Sequence, residues 1–66
     1  MHIILNGKDK IIDKDISLAN IVKEVSLSTE FVIAELNGKI IKRQQWRDVL
    51  LSDGDVLELV TIVGGG

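Results

Sequence analysis

Two Asn-Gly pairs, Asn6-Gly7 and Asn37-Gly38, each sit between apolar stretches with strand-like alternation. Asn-Gly is the strongest short hairpin signal, because both central positions of the tight turn need a positive φ, which Gly takes freely and Asn tolerates. Each pair therefore predicts a chain reversal between two antiparallel strands. At the first, Ile3 and Leu5 alternate with His2 and Ile4, and the return strand is expected from Lys8 to Asp13. At the second, Phe31 to Leu36 leads in and Lys39 to Ile41 leads out. Val32, Ala34 and Leu36 should share one face of that strand, with Phe31, Ile33 and Glu35 on the other.

Between the hairpins the period changes. Leu18, Ile21, Val22 and Val25 fall at i, i+3, i+4 and i+7, one apolar helical stripe, with Asn20, Lys23 and Glu24 on the wet side. Ser17 precedes the stripe and suits an N-cap, its hydroxyl accepting from a free backbone N–H of the first turn. The helix is expected over Leu18 to Val25, with Ser26, Ser28 and Thr29 as its exit. Lys42 to Asp48, polar apart from Trp46, reads as a loop with a helical turn, in which Lys42-Arg43 is a solvated basic pair. Ser52-Asp53-Gly54-Asp55 is a turn, and Val56 to Val63 a last strand.

The order is ββαβββ with one main helix, which can cover only one face of a small sheet. The most economical arrangement is α+β, a β-grasp (ubiquitin-like) roll with a mixed sheet of four to five strands. In that roll the first and last strands lie side by side, parallel, at the sheet centre. The expected domain is residues 1–63, with a flexible Gly tail at residues 64–66.

A 66-residue chain is one domain and buries only about 60% of its unfolded surface, too little to enclose a substrate cavity. Hydrophobic residues make up 45%, enough for a folded core. Net charge is −2 and aromatics are 3%, which fits neither the electrostatic footprint nor the stacking platforms of a nucleic-acid binder. Apolar runs fall well short of a membrane span and the N-terminal residues lack signal-peptide character, so a cytoplasmic location is expected. Without cysteine there is no disulfide, thiolate metal site or cysteine nucleophile. His2 is alone and reads as a surface strand residue, and Asp53 and Asp55 as turn formers. No catalytic set and no metal set can be assembled, so the chain is expected not to be an enzyme.

Gly64-Gly65-Gly66 follows the last strand directly. Glycine lacks Cβ, so a tail of this kind can run extended through a channel too narrow for other residues. Read as the chain terminus, Gly66 would offer a carboxylate with no side chain shielding its carbonyl. A carboxylate is a poor electrophile, so a second protein would have to activate it. The other reading of the same glycines is a linker or an expression scar.

The last strand adds a second feature. With Leu57 and Leu59 facing the helix, Val56, Glu58, Val60 and Ile62 face away. Glu58 suits a solvent face, but Val60 and Ile62 do not, and together with Ile4 and Ile33 they would form an apolar docking surface beside the tail. Ordinary β-propensity on an exposed strand, or a neighbouring element covering it, would give the same pattern.

Over its whole length the chain resembles the ThiS family, small sulfur carrier proteins of thiamine (thiazole) biosynthesis. The matching segments are Ile3-Ile4-Leu5-Asn6-Gly7, the run from Leu36 through Asn37-Gly38-Lys39-Ile40-Ile41-Lys42-Arg43 to Trp46, and Asp53-Gly54-Asp55-Val56-Leu57-Glu58-Leu59 through to Gly66. Lys42 stands where the family often has Pro, and there is a third terminal glycine; neither touches the reactive carboxylate. The Asp-Gly-Asp turn and the Gly-Gly end are shared with molybdopterin sulfur carriers.

The resemblance implies a defined chemistry. A partner adenylating enzyme, related to ubiquitin-activating enzymes, uses ATP and Mg²⁺ to convert the Gly66 carboxylate to an acyl-adenylate. Sulfur from a persulfide, supplied by a cysteine desulfurase, displaces AMP and leaves a Gly66 thiocarboxylate. Thiazole synthase then takes the sulfur. Gly64 and Gly65 would thread into the partners, and Val60, Ile62 and Glu58 would dock. The chain itself would bind no cofactor and no metal, and is expected to be a monomer when free. A molybdopterin-synthase sulfur carrier, a ubiquitin-like protein modifier and an inert β-grasp module are the alternative readings.

Overall fold

The structure, a computed structural model, describes residues 1–26 and 30–62. Five strands form one mixed sheet: β1 (His2–Leu5), β2 (Lys8–Ile11), β3 (Val32–Leu36), β4 (Lys39–Ile41) and β5 (Val56–Thr61). One α-helix, α1 (Leu18–Val25), and one 3₁₀ helix (Arg43–Asp48) complete it. The spatial order is β2-β1-β5-β3-β4. Both hairpins form as expected, and β5 enters between them, parallel to β1 and antiparallel to β3.

Each turn takes the conformation that Asn-Gly favours. Asn6 and Gly7 have φ of 50° and 81°, and Asn37 and Gly38 have 51° and 85°. The two asparagines also do something the turn chemistry does not require. Asn6 Oδ1 accepts a hydrogen bond from the Leu59 amide at 2.7 Å, and Asn37 Oδ1 accepts one from the Val56 amide at 2.9 Å. Both turns thus reach onto β5, from opposite sides. Asn37 Nδ2 also donates to Asp55 Oδ1 at 3.0 Å, and the other Asp55 oxygen accepts from the Ser52 amide at 2.7 Å. The Ser52–Asp55 turn is thereby held against the Asn37 turn where β5 begins.

Helix α1 matches its expected span. Ser17 Oγ accepts from the Asn20 amide at 3.1 Å, satisfying a first-turn donor. Leu18, Ile21 and Val22 are fully buried against Ile3, Ala34 and Leu57 on the covered face of the sheet. Every buried residue among those described is apolar, apart from the Trp46 indole N–H, which donates to the Ile41 carbonyl at 2.9 Å.

Several boundaries and one face differ from the sequence reading. Strand β2 ends at Ile11, two residues short of the expected Asp13. Its ladder runs out at Met1, where Ile12 and Met1 exchange the last pair of bonds, and Ile12 turns into the core. Strand β3 begins at Val32, with Phe31 contributing only its carbonyl, to the Ile62 amide at 2.8 Å. Strand β5 ends at Thr61, where the β3 ladder ends opposite Val32; Val63 lies outside the described residues, as do Ser28 and Thr29 of the helix exit. Val25 is 42% exposed, not part of the buried stripe, because it closes the final helical turn, two turns away from the Leu18 end that residues 49–51 hold in place. That hold consists of the Leu18 amide on the Val49 carbonyl and the Leu51 amide on the Ile16 carbonyl.

Replacing Leu57 by Ala should destabilise the domain by about 3 kcal/mol, since it empties a fully buried site on the central strand. Replacing Asn37 by Gly keeps the positive φ but removes both side-chain bonds, and should cost about 1–2 kcal/mol. Urea unfolding followed by circular dichroism checks both; an Asn37→Gly midpoint equal to the parent would show that the side-chain clamp contributes nothing.

Candidate functional site

The register assigns every strand residue to one of two sheet faces. Ile4 sits beside Val56, Asp9 beside Ile4, and His2 beside Ile11. Across β3, Ile33 faces Val60 and Glu35 faces Glu58, with Ile40 of β4 next to Glu35. These side chains share the face that α1 does not cover. Of the ten large apolar side chains exposed among the described residues, eight (Ile4, Ile11, Phe31, Ile33, Ile40, Val56, Val60 and Ile62) lie on this face or continue its alternation. Val60 is 56% exposed and Ile62 50% exposed. No described element covers them, so the reading of a covering neighbour is set aside for residues 1–26 and 30–62.

The expected docking residues Glu58, Val60 and Ile62 are therefore on one continuous surface with Ile4 and Ile33, as the alternation indicated. Sequence reasoning missed two of its features. One is the contribution of the edge strands, Ile11 and Ile40, whose facing depends on register and not on local pattern. The other is the Glu35–Glu58 pair, two carboxylates directly opposite one another at the centre of an apolar field. Like charges placed so are unfavourable for the sheet itself.

Beyond Leu59, β5 is bordered by β3 alone, since its register with β1 covers only Val56 and Leu57 and Asn6 closes the ladder at Leu59. The strand thus leaves the sheet along one partner, heading toward residues 63–66. Gly64, Gly65 and Gly66, expected to carry the chemistry, lie outside the described residues. His2 is exposed, with its amide on Asp53 Oδ1 at 2.8 Å, and Asp53 and Asp55 act as turn acceptors. Among the described residues there is no cluster of three or more His, Cys, Asp or Glu able to hold a metal, and no helix long and apolar enough to cross a membrane.

A ββαβββ chain with a parallel pairing of first and last strands, one helix on one face and the other face open, is a ubiquitin-like β-grasp domain. The model of the ThiS family matches residues 3–66, so the chain belongs to the ThiS family, small sulfur carrier proteins of thiamine biosynthesis. The sulfur carrier protein ThiS of Bacillus subtilis is 40% identical over 63 residues, covering 94% of this chain and 96% of that protein. The crystal structure of the thiamine biosynthesis protein ThiS from Geobacter metallireducens superposes with a TM-score of 0.87 at 28% identity, each chain covered completely. A thiazole synthase of Paramagnetospirillum magneticum is 27% identical over all 66 residues of this chain, which span 20% of that protein.

The Glu35–Glu58 arrangement makes a stability prediction. Glu35→Gln should raise stability by about 0.2–1 kcal/mol at low salt, with the gain shrinking as salt is added. Paired urea titrations at two ionic strengths measure it; a loss of stability at low salt would contradict the like-charge reading.

Proposed function

We propose that this protein carries sulfur for thiazole formation on the carboxylate of Gly66. The observation that carries the reading is the extent of the family match, which runs through all three glycines to residue 66. The carboxylate attacks the α-phosphate of ATP, held with Mg²⁺ by a partner adenylating enzyme, and pyrophosphate leaves. The resulting acyl-adenylate has AMP as a good leaving group. A persulfide sulfur, derived from a cysteine desulfurase, attacks the carbonyl and expels AMP. Reductive cleavage of the S–S bond by a thiol leaves the thiocarboxylate. In this scheme the chain is a protein substrate of other enzymes and holds no cofactor of its own.

Gly64 and Gly65 let the backbone enter the partner's channel without side-chain obstruction. The channel supplies the near-attack geometry that a bare tail lacks. Docking on the open face, through Val60 and Ile62 with Glu58 between apolar flanks, supplies affinity and orientation. Thiazole synthase is the proposed recipient of the sulfur. Support comes from the Paramagnetospirillum magneticum thiazole synthase, one fifth of which is similar to this entire chain, so that carrier-like and synthase sequences occur in one polypeptide.

The test is an intact-mass measurement. The chain incubated with an adenylating enzyme of the ubiquitin-activating type, ATP, Mg²⁺ and a sulfur donor should gain the mass of one oxygen replaced by one sulfur. Omitting ATP should abolish the gain. Removing Gly64, Gly65 and Gly66 together should abolish it too, with the urea midpoint unchanged. The double variant Val60→Ala, Ile62→Ala should fold normally yet lower kcat/KM for activation by about tenfold or more, as expected for two apolar contacts each worth about 1 kcal/mol. Isopeptide conjugates to lysine in place of a thiocarboxylate would assign the chain to the protein modifiers instead.

A further inference from the structure

Away from the open face, α1 and the 3₁₀ helix enclose a cleft of about 270 Å³, lined by Ala19, Asn20, Lys23, Arg43, Trp46 and Arg47. Three of the chain's eight Lys and Arg residues line it, although the net charge of the chain is −2, and no carboxylate does. On α1, Ala19 and Lys23 are four residues apart and so lie one above the other, with the small Ala19 leaving the floor open. On the 3₁₀ helix, Trp46 is buried to 4% exposure with its indole N–H committed to the Ile41 carbonyl, so it offers the cleft ring surface and no donor. Arg43 Nη1 donates to the Glu30 carbonyl at 3.3 Å, which braces that guanidinium beside the opening. Nothing in the carrier chemistry uses these groups.

Lys23 comes from α1 and Arg43 and Arg47 from the 3₁₀ helix, so an oxyanion in the cleft would meet cations from two elements. Arginine presents planar N–H forks that match phosphate oxygens two at a time, and lysine adds a compact point charge. A cleft of this volume is smaller than the usual pocket for drug-sized ligands but admits a phosphate group with a few carbons attached. We propose that the cleft between α1 and the 3₁₀ helix is a binding site for a compact phosphate-bearing small molecule, held by Lys23 and Arg47 with Asn20 and Arg43 at its rim, against the Trp46 ring. This site is separate from the docking face, because α1 covers the opposite side of the sheet.

Trp46 is the only tryptophan and there is no tyrosine, so intrinsic fluorescence reports on this cleft directly. The intact chain is titrated with inorganic phosphate at constant ionic strength, chloride making up the balance. The expected result is a saturable change in Trp46 emission with Kd of about 1 mM or tighter. Lys23→Gln and Arg47→Gln should each weaken it by about tenfold, as loss of one charge-assisted bond predicts. Ala19→Leu fills the floor without changing charge and should also abolish saturation. Lys23 and Arg47 are exposed, so these two variants keep the fold, which circular dichroism verifies. A linear response equal to that of chloride overturns the proposal, as does a response unchanged in the Lys23→Gln, Arg47→Gln double variant. Displacement of phosphate by hexaglutamate at equal concentration also overturns it, because the cleft would then be a surface for acidic peptides.

Discussion

The structure turns on the parallel pairing of β1 with β5, which joins the two ends of the sequence across more than fifty residues. Loop closure of that length costs entropy that local contacts cannot recover, so the pairing must be secured from several directions. The Ile4 amide bonds the Asp55 carbonyl and the Asn6 amide bonds the Leu57 carbonyl, each at 2.9 Å. Asn6 Oδ1 then holds the Leu59 amide, extending the β1 side of the ladder by a side chain after the backbone has turned away. On the other flank Asn37 receives the first residue of β5 and ties in Asp55. Leu57, fully buried at the middle of this arrangement, links the hydrogen-bonded sheet to the helix.

That arrangement also sets how firmly the last strand is held along its length. The most constrained strand in the molecule is the one that ends next to the glycines. Its first residues are held on both sides, and its last residues on one side only. The same strand contributes Glu58 and Val60 to the open face of the sheet, and Ile62 follows directly after it.

The open face works against the stability of the domain. A five-stranded sheet with one helix leaves half its surface without a cover, and here that half is apolar with two carboxylates opposed at its centre. Apolar exposure near Val60 and a like-charge pair at Glu35–Glu58 both work against that stability. The buried side makes up for this in a small core with no buried polar residue among those described, built on Leu18, Ile21, Val22, Ile3 and Leu57.

Much of this was legible before any coordinates. Asn-Gly dipeptides fix hairpins through local φ preferences, and the i, i+3, i+4 spacing of Leu18, Ile21 and Val22 fixes a helix face, because both depend on neighbours in sequence. The facing of Val60 and Ile62 followed from period-two alternation. Tertiary structure decided what depends on distant partners: that Asn6 and Asn37 clamp β5, that Glu35 meets Glu58, that Ile11 and Ile40 join the open face, and that Trp46, in a polar stretch, is buried beside a cluster of cations. Local chemistry sets the conformation of each segment, but register and the packing of one element on another are properties of the assembled sheet, where residues fifty positions apart become neighbours.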